Sequence, residues 1–415
     1  MTVIEFFDWE SPVENMISTL LCAPDKVVFL GDGKKKIDRI SESYKEIAKN
    51  RGINVEFSSK AINKNNLMSI VSAIEEVLEE NDDCIIDLSG GDDLSLVAVG
   101  VVYCDNADKL RLHRFNITNS TMTDCDSDGI LCNSAPLELT VEETVKINGG
   151  RIVYSSEKPN STYPWDFTEE FIDDIYVMWS LCRQNPSAWN FQLSIMDKLR
   201  SFYLESDTLS VYINFADAKE VLNEKGEKCE FKTDFYVKLF DLGVIENLNI
   251  THESMSFTFK NEQVMKCLTK AGQILELIIA LKAAELTDDE GNPVYSDVMT
   301  GVFIDWDRDI HGEDAADVSN EIDVILMKGL TPVFISCKNG MVRMDELYKL
   351  SVVAEKFGGK YVRKVLAVTE LEKMGENEAY IRARCDAMDI RIFENIDEIS
   401  EEKFNSKLRN LWCAN

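Results

Sequence analysis

Histidine is scarce in this chain of 415 residues: there are only three, and they lie far apart. The eleven cysteines include no CxxC pair, so the spacing typical of zinc ribbons is missing. A zinc site and a histidine-based catalytic triad are therefore poor explanations of this sequence. Free buried thiols in a reducing compartment explain the cysteines better, and we expect a cytoplasmic protein.

Long apolar runs are missing as well. None reaches about 18 residues, and the amino terminus, MTVIEFFDWESP, has no basic segment followed by an apolar one. We therefore expect no membrane-spanning helix, no secretory signal and no membrane partner. The length predicts two or three globular domains.

Positive charge is in short supply, because the net charge is −30. Such a chain is poorly suited to bind nucleic acid non-specifically. Two stretches differ from the rest: residues 31–64 have nine Lys/Arg against five Asp/Glu, and residues 338–364 have seven against three. Each is either a local surface for phosphates or an ordinary solvated helix face.

Residues 1–150 alternate short apolar runs with amphipathic segments. We predict strands at 3–7, 26–30, 54–57, 84–88 and 111–117, and helices at 11–21, 38–50, 66–80 and 92–103. Strands separated by helices of this length indicate βαβ units, so this part is predicted to be a Rossmann-like, doubly wound parallel sheet of the α/β class.

The remaining chain divides into two further parts. Residues 151–263 predict helices at 167–183, 191–202, 216–223 and 234–242 and then a hairpin, which is either a small winged-helix-like connector or a plain helical spacer. Residues 264–415 begin with a long predicted helix, 264–285. Strands at 302–306, 321–326 and 332–337, a helix at 344–357 and a strand at 364–368 follow, in the order α-β-β-β-α-β.

Two glycine-containing loops follow predicted strands of the first part: residues 29–36 (FLGDGKKK) and 87–94 (DLSGGDDL). Glycines let the backbone approach a phosphate or base, and the next helix start offers free N–H groups. Neither loop is a P-loop, and Lys36 stands where a third glycine would complete GxGxxG. The loops therefore favour an unusual nucleotide ligand or simple tight turns over a dinucleotide cofactor.

The strand, the Ser89-Gly90-Gly91-Asp92 loop and the helix after it resemble the CRISPR-associated Rossmann fold (CARF) family. The resemblance implies a homodimer that binds a cyclic oligoadenylate across its two-fold axis. It also implies a ligand site lined by Trp9, Ser11, Gly31, Asp32, Ser89, Gly90, Gly91 and Asp92. Four-fold cyclic tetra-adenylate fits a two-fold dimer best, because the symmetry of the ligand contains the axis of the dimer.

In the last part, acidic side chains and a lysine fall on two successive strands. Glu321 and Asp323 share a strand face, as do Ser336 and Lys338 on the next strand, because side chains alternate with a period of two. Glu276 lies in an otherwise apolar helix upstream. Carboxylates that hold Mn²⁺ or Mg²⁺ beside a lysine are the groups that phosphodiester hydrolysis requires.

This arrangement resembles the PD-(D/E)XK, or restriction-endonuclease-like, family. The resemblance implies that Glu276 and Asp323 bind the metal ion and that Lys338 is catalytic. Ser336 stands where the family usually has a second carboxylate, so either Glu276 or Glu321 would supply the missing oxygen or the site would hold its metal weakly. The residues from Arg343 to Lys364 would then guide a polyanionic strand to the metal.

The two resemblances together predict a cyclic tetra-adenylate-activated, metal-dependent endonuclease of type III CRISPR antiviral defence. Its substrate would be RNA or DNA, with single strands favoured. Two alternatives remain open: a non-enzymatic CARF transcription regulator that acts through the winged-helix-like segment, and a ring nuclease that degrades the cyclic ligand.

Overall fold

The computed structural model describes residues 1–116, 120–125, 130–132, 137–154, 161–203, 209–224, 230–307 and 319–413. Within these ranges, no helix combines the length and the apolar character needed to cross a membrane. Residue 117, the last residue of the predicted strand 111–117, lies outside the described residues.

The first sheet follows the predicted alternation of strands and helices. Its elements are β1 (Thr2–Phe6), α1 (Glu14–Cys22), β2 (Lys26–Gly31), α2 (Lys34–Asn50), β3 (Glu56–Ala61), α3 (Leu67–Glu80), β4 (Cys84–Asp87), α4 (Asp93–Asn106), β5 (Leu110–Asn116), β6 (Thr121–Asp124) and β7 (Ile130–Cys132). The strand order is β3-β2-β1-β4-β5-β6-β7, and the first five strands are parallel. The prediction of a parallel α/β sheet is confirmed.

The middle of the chain forms helices around a small antiparallel sheet. The elements are α5 (Val141–Ile147), β8 (Arg151–Ile152), α6 (Glu169–Cys182), α7 (Pro186–Tyr203), β9 (Ser210–Asn214), α8 (Phe215–Glu224), α9 (Thr233–Asp241), β10 (Ile245–Ile250), β11 (Ser254–Phe259) and α10 (Glu262–Thr269). The strand order is β10-β11-β9. The hairpin was predicted, whereas β9 was not.

The last part of the chain is built on a third sheet, which has six strands. The elements are α11 (Gln273–Glu285), β12 (Asp297–Asp305), β13 (Ser319–Lys328), β14 (Thr331–Asn339), α12 (Met344–Gly358), β15 (Arg363–Thr369), α13 (Glu376–Ala387), β16 (Ile390–Glu394) and α14 (Glu401–Arg409). The strand order is β16-β15-β14-β13-β12-β8. The short strand β8 therefore reaches the edge of this sheet from much earlier in the chain.

The prediction of one long helix over 264–285 is wrong. Two helices, α10 and α11, occupy that stretch, and the chain turns between them at residues 270–272. Gly272 has a φ of +90°, a conformation that residues with a side chain avoid. The apolar periodicity continues through the turn, so periodicity alone did not reveal it.

Helix α12 has one buried apolar face and one exposed face. It packs on β14 and β15 of the third sheet. Its apolar residues, among them Leu350 and Phe357, belong to one hydrophobic cluster with Phe7, Phe29 and Tyr44 of the first sheet. The first and third sheets are thus joined through a continuous apolar core.

Candidate functional site

Asp323 lies where two strands of the third sheet stop pairing. The ladder between β13 and β14 ends at Val324 and Ile335. One residue further along, the Asp323 carboxylate accepts the backbone N–H of Cys337 at 2.6 Å and the hydroxyl of Ser336 at 3.3 Å. A side chain therefore satisfies a strand N–H beyond the end of the backbone ladder.

The amine of Lys338 lies between two carboxylates. Its Nζ is 3.6 Å from Oδ2 of Asp323 and 3.2 Å from Oε2 of Glu346, which is in the first turn of α12. Burial alone would lower the pKa of Lys338, but the negative charges of Asp323 and Glu346 outweigh burial and raise it. Lys338 is thus a cation held beside Asp323.

Glu276 is a buried carboxylate in the first turn of α11. Gln273 donates a hydrogen bond from Nε2 to its Oε2 at 2.9 Å. Burial, and then the negative charge of Asp323, raise the pKa of Glu276 to about 8, while Lys270 and Lys338 oppose the shift. The charges of Asp323 and Lys338 thus both act on the helix carboxylate.

Lys270 is a site residue that sequence reasoning missed. Its Nζ lies 2.6 Å from Oε1 of Glu321. Burial would lower its pKa, but the charges of Glu276, Glu321 and Asp323 together raise it. The turn at Gly272 brings Lys270 to the site, and an isolated glycine inside a helical pattern is the signal that could have identified this turn.

Glu276 and Asp323 are the carboxylates that the sequence predicted to bind a metal ion. Ser336 is buried and donates to Asp323, and Glu321 is paired with Lys270. Across the part of the chain that the structure describes, no three His, Cys, Asp or Glu side chains form a group that could share a metal ion.

Most cations of the basic stretch 338–364, which the sequence predicted to guide a polyanionic strand, have partners within the chain, while Lys349 is exposed on α12. Lys364 is buried and lies 2.7 Å from Glu355, and Arg343 pairs with Asp345. Further cations of the stretch donate to backbone carbonyls or pair with a carboxylate: Lys356 with Asn148, Arg363 with Trp412, and Lys360 with Glu14. These long cationic side chains contact groups of the same chain, and a count of charges cannot reveal such contacts.

A second candidate site lies where the strand order of the first sheet reverses, between β1 and β4. Ligands of open α/β sheets bind at this point, in the loops after the strands. In the loop after β4, the backbone N–H of Ser89 donates to Asp87 at 2.7 Å, and its hydroxyl accepts the N–H of Phe115 at 2.9 Å. Ser89 is therefore held in one position.

The glycines of these loops are required by packing and backbone conformation. A Cβ on Gly31 would lie 2.8 Å from Ile37, and one on Gly90 would lie 3.0 Å from the carbonyl oxygen of Phe6. Gly91 has a φ of +99°.

The two predicted aspartates of the ligand site differ in what they contact. The Asp92 carboxylate caps α4 by accepting the N–H of Ser95 at 2.8 Å. Asp32 is exposed, and its nearest cation is Lys64 at 3.9 Å.

The loop after β1 carries the other predicted ligand residues. Trp9 is 40% exposed, and its ring lies 4.5 Å from that of Phe7. Ser11 is buried, and within the described ranges its hydroxyl has no hydrogen-bond partner. Trp9 is therefore open to a ligand, whereas the side chain of Ser11 is not.

A buried polar cluster beneath these loops was also missed by sequence reasoning. Asp87 accepts a hydrogen bond from Ser18, whose hydroxyl is 3.0 Å from Nε2 of His113. Glu5 is the register partner of Asp87, and burial raises the pKa of Glu5 well above its ordinary range. Burial lowers the pKa of His113. The cluster fixes Asp87, which in turn holds Ser89.

A cavity of about 580 Å³ connects the second site with the third sheet. Its walls include Glu14, Ser89, Arg114 and Asn116 from the first part of the chain, and Lys360 and Tyr361 from the turn after α12. The size is that of a small-molecule site.

Comparisons with known proteins support the fold. No protein-family model matches the chain, and no curated protein gives a significant match. Among solved structures, protein VC1899 from Vibrio cholerae matches with a TM-score of 0.69 at 17% identity, covering 99% of this chain and 96% of that one. Can2 from Sulfobacillus thermosulfidooxidans, in complex with cyclic tetra-adenylate, matches with a TM-score of 0.66 at 14% identity, covering 100% and 99%. At these identities the likeness shows a shared fold over the full chain.

Proposed function

We propose that this protein is a metal-dependent nuclease of type III CRISPR defence, activated by a cyclic oligoadenylate. It would cleave RNA or DNA, with single strands favoured. The observation that carries the proposal is the convergence of Glu276, Asp323 and Lys338, from one helix and two strands, at the point where β13 and β14 separate.

Glu276 and Asp323 suit a hard divalent cation such as Mn²⁺ or Mg²⁺. Mg²⁺ is often held by one or two carboxylates, with water and substrate phosphates as its other ligands. The raised pKa of Glu276 reflects a negative charge that is costly because it is buried and lies near Asp323, and a cation at this point would stabilise the ionised pair. When bound, the ion would activate water and neutralise charge on the phosphate.

Lys338 would stabilise the reacting phosphate. Asp323 and Glu346 keep its amine protonated and restrict its position. A cation that is already oriented gives more stabilisation to a developing negative charge than one that must reorganise. Ser336 orients the Asp323 carboxylate and Glu321 orients Lys270, so we assign both a supporting role in the site.

We infer that the cyclic ligand binds over the loops after β1, β2 and β4. The contacts would be Trp9, Gly31, Asp32, Ser89, Gly90, Gly91 and Asp92, while the buried Ser11 would support the loop from beneath. Trp9 offers an exposed ring for an adenine, and the glycine loops offer backbone N–H groups to phosphates. The cyclic tetra-adenylate bound by Can2 supports this choice of ligand, because the fold is shared over both full chains.

A homodimer would form through α4, which begins directly after the Ser89–Asp92 loop. Its exposed side chains include Leu96, Val97, Val101 and Cys104, which form an uncharged stretch between the exposed Asp93 and Asp105. On a chain with a net charge of −30, such a face is where two copies meet with least repulsion. A two-fold axis beside the loops would let one cyclic ligand contact both copies.

The test is cleavage of labelled RNA and DNA, single- and double-stranded, with Mn²⁺ and with or without cyclic tetra-adenylate. We expect cleavage that requires the metal, is stimulated by the ligand, is lost in Lys338→Ala and is kept in Lys403→Ala, whose lysine is exposed on α14. Equal cleavage by the unchanged protein and by Lys338→Ala would contradict the nuclease site. Disappearance of the cyclic ligand itself would support a ring nuclease instead.

A further inference from the structure

The two ends of helix α12 contact the two candidate sites. At its start, Glu346 lies 3.2 Å from the amine of Lys338. Just beyond its end, the hydroxyl of Tyr361 donates a hydrogen bond to the carboxylate of Glu14, and the amine of Lys360 lies 3.8 Å from the same carboxylate.

Glu14 is in turn connected to the loop after β1. Its backbone N–H donates to the carbonyl of Ser11 at 2.9 Å, and the N–H of Ser11 donates to Asp8 at 3.0 Å. Glu14 is buried, and the charged or titratable groups around it are Tyr361, Lys360, Asp8 and Asp87. A ligand that moves the loop therefore moves the acceptor of the Tyr361 hydrogen bond.

Helix α12 is suited to carry such a movement. Its 15 residues span about 22 Å, and hydrogen bonding within the helix resists bending over that length. At its end, Gly358 leaves no space: a Cβ there would lie 2.4 Å from Val362. Packed interiors transmit displacements because they are close to incompressible.

We propose that α12 couples ligand binding to catalysis: the Tyr361–Glu14 contact follows the ligand loop, and Glu346 at the other end adjusts the amine of Lys338. The inference rests on the proposed function. Tyr361 and Glu346 are positioning residues in this scheme, since each acts through another group. The coupling is confined to one helix of the same chain.

The experiment compares Tyr361→Phe with Tyr348→Phe, which removes the hydroxyl of an exposed tyrosine on the same helix. The readout is the activation ratio, the cleavage rate with saturating cyclic tetra-adenylate divided by the rate without it. We expect Tyr361→Phe to reduce this ratio at least about fivefold, the lower range for allosteric coupling. Tyr348→Phe should keep the ratio, and ligand affinity without metal should stay within twofold in both variants.

Glu14→Ala provides the second arm, because it removes the acceptor instead of the donor. The double variant should reduce the ratio no further than Glu14→Ala alone, since Glu14→Ala already removes the acceptor of the Tyr361 hydrogen bond. Additive effects, or a Tyr361→Phe ratio equal to that of the unchanged protein, would overturn the inference alone. Absence of Lys338-dependent cleavage in the unchanged protein would instead contradict the proposed function, and the inference with it.

Discussion

The carboxylate of Asp323 accepts the backbone N–H of Cys337 at 2.6 Å, so one side chain both completes the sheet and faces the site. The two roles can be separated by substitution. Asp323→Asn keeps an oxygen acceptor but loses the charge, whereas Asp323→Ala leaves the N–H without a partner, at a cost of about 1–3 kcal/mol. Both should abolish cleavage, and urea unfolding should show that only Asp323→Ala is markedly less stable. Activity in Asp323→Asn would contradict its role as a metal ligand.

Lys270 should control the affinity of the site for metal. Its amine pairs with Glu321 and lowers the pKa of Glu276, so Lys270→Met should leave Glu276 harder to ionise. We expect about a 10- to 100-fold loss in apparent Mn²⁺ affinity, the range for residues that orient metal ligands. Lys266→Met is the matched control, since Lys266 pairs with Glu262 on α10. An equal loss in both variants would count against a specific role.

The pKa of Glu276 predicts how stability depends on pH in the presence of a chelator. The folded value of about 8 lies above the ordinary 4.5, so the folded state binds the proton more tightly than the unfolded state. The resulting stabilisation is full below pH 4.5 and is lost as pH rises to about 8, with a magnitude on the order of a few kcal/mol. Urea unfolding in EDTA at pH 5 and pH 8 should show a smaller loss in Glu276→Gln. Identical pH dependence would exclude Glu276 as the cause.

The exposed face of α4 should determine the oligomeric state. Val97→Glu places a charge on that face, and we expect it to produce monomers that bind cyclic tetra-adenylate weakly. Light scattering after size exclusion measures the mass. The control is Val352→Glu, which places the same charge on an exposed position of α12. A Val97→Glu protein with the mass of the unchanged protein would contradict an α4 interface.

The parallel sheet could be predicted from sequence because its strands and its helices differ in the spacing of their apolar residues. Apolar runs of four to six residues separated by amphipathic helices lead to one topology. The proximity of Asp323, Ser336 and Lys338 could be predicted for a related reason: they lie on neighbouring strands joined by a short turn.

The residues that were missed depend on contacts between distant segments. Lys270 reaches the site only because the chain turns at Gly272, and nothing in its local pattern marks it as functional. The cluster around Asp87 combines Ser18 and His113 from separate elements. Likewise, the sequence shows the charge of Lys364, but its burial and its pairing with Glu355 depend on the tertiary structure.

The pairing of β8 with β12 has a consequence for how the chain folds during synthesis. Ile152 pairs with Ile304, and the backbone N–H of Val141 donates to Asp297. In both cases the partner is synthesised some 150 residues later. The parallel strands of the first sheet can pair as soon as residue 116 has left the ribosome, whereas β8 gains its partner at the edge of the third sheet only after residue 305 has been made. Contacts of such separation slow folding, and until β12 appears the segment from α5 to β8 is an unpaired edge.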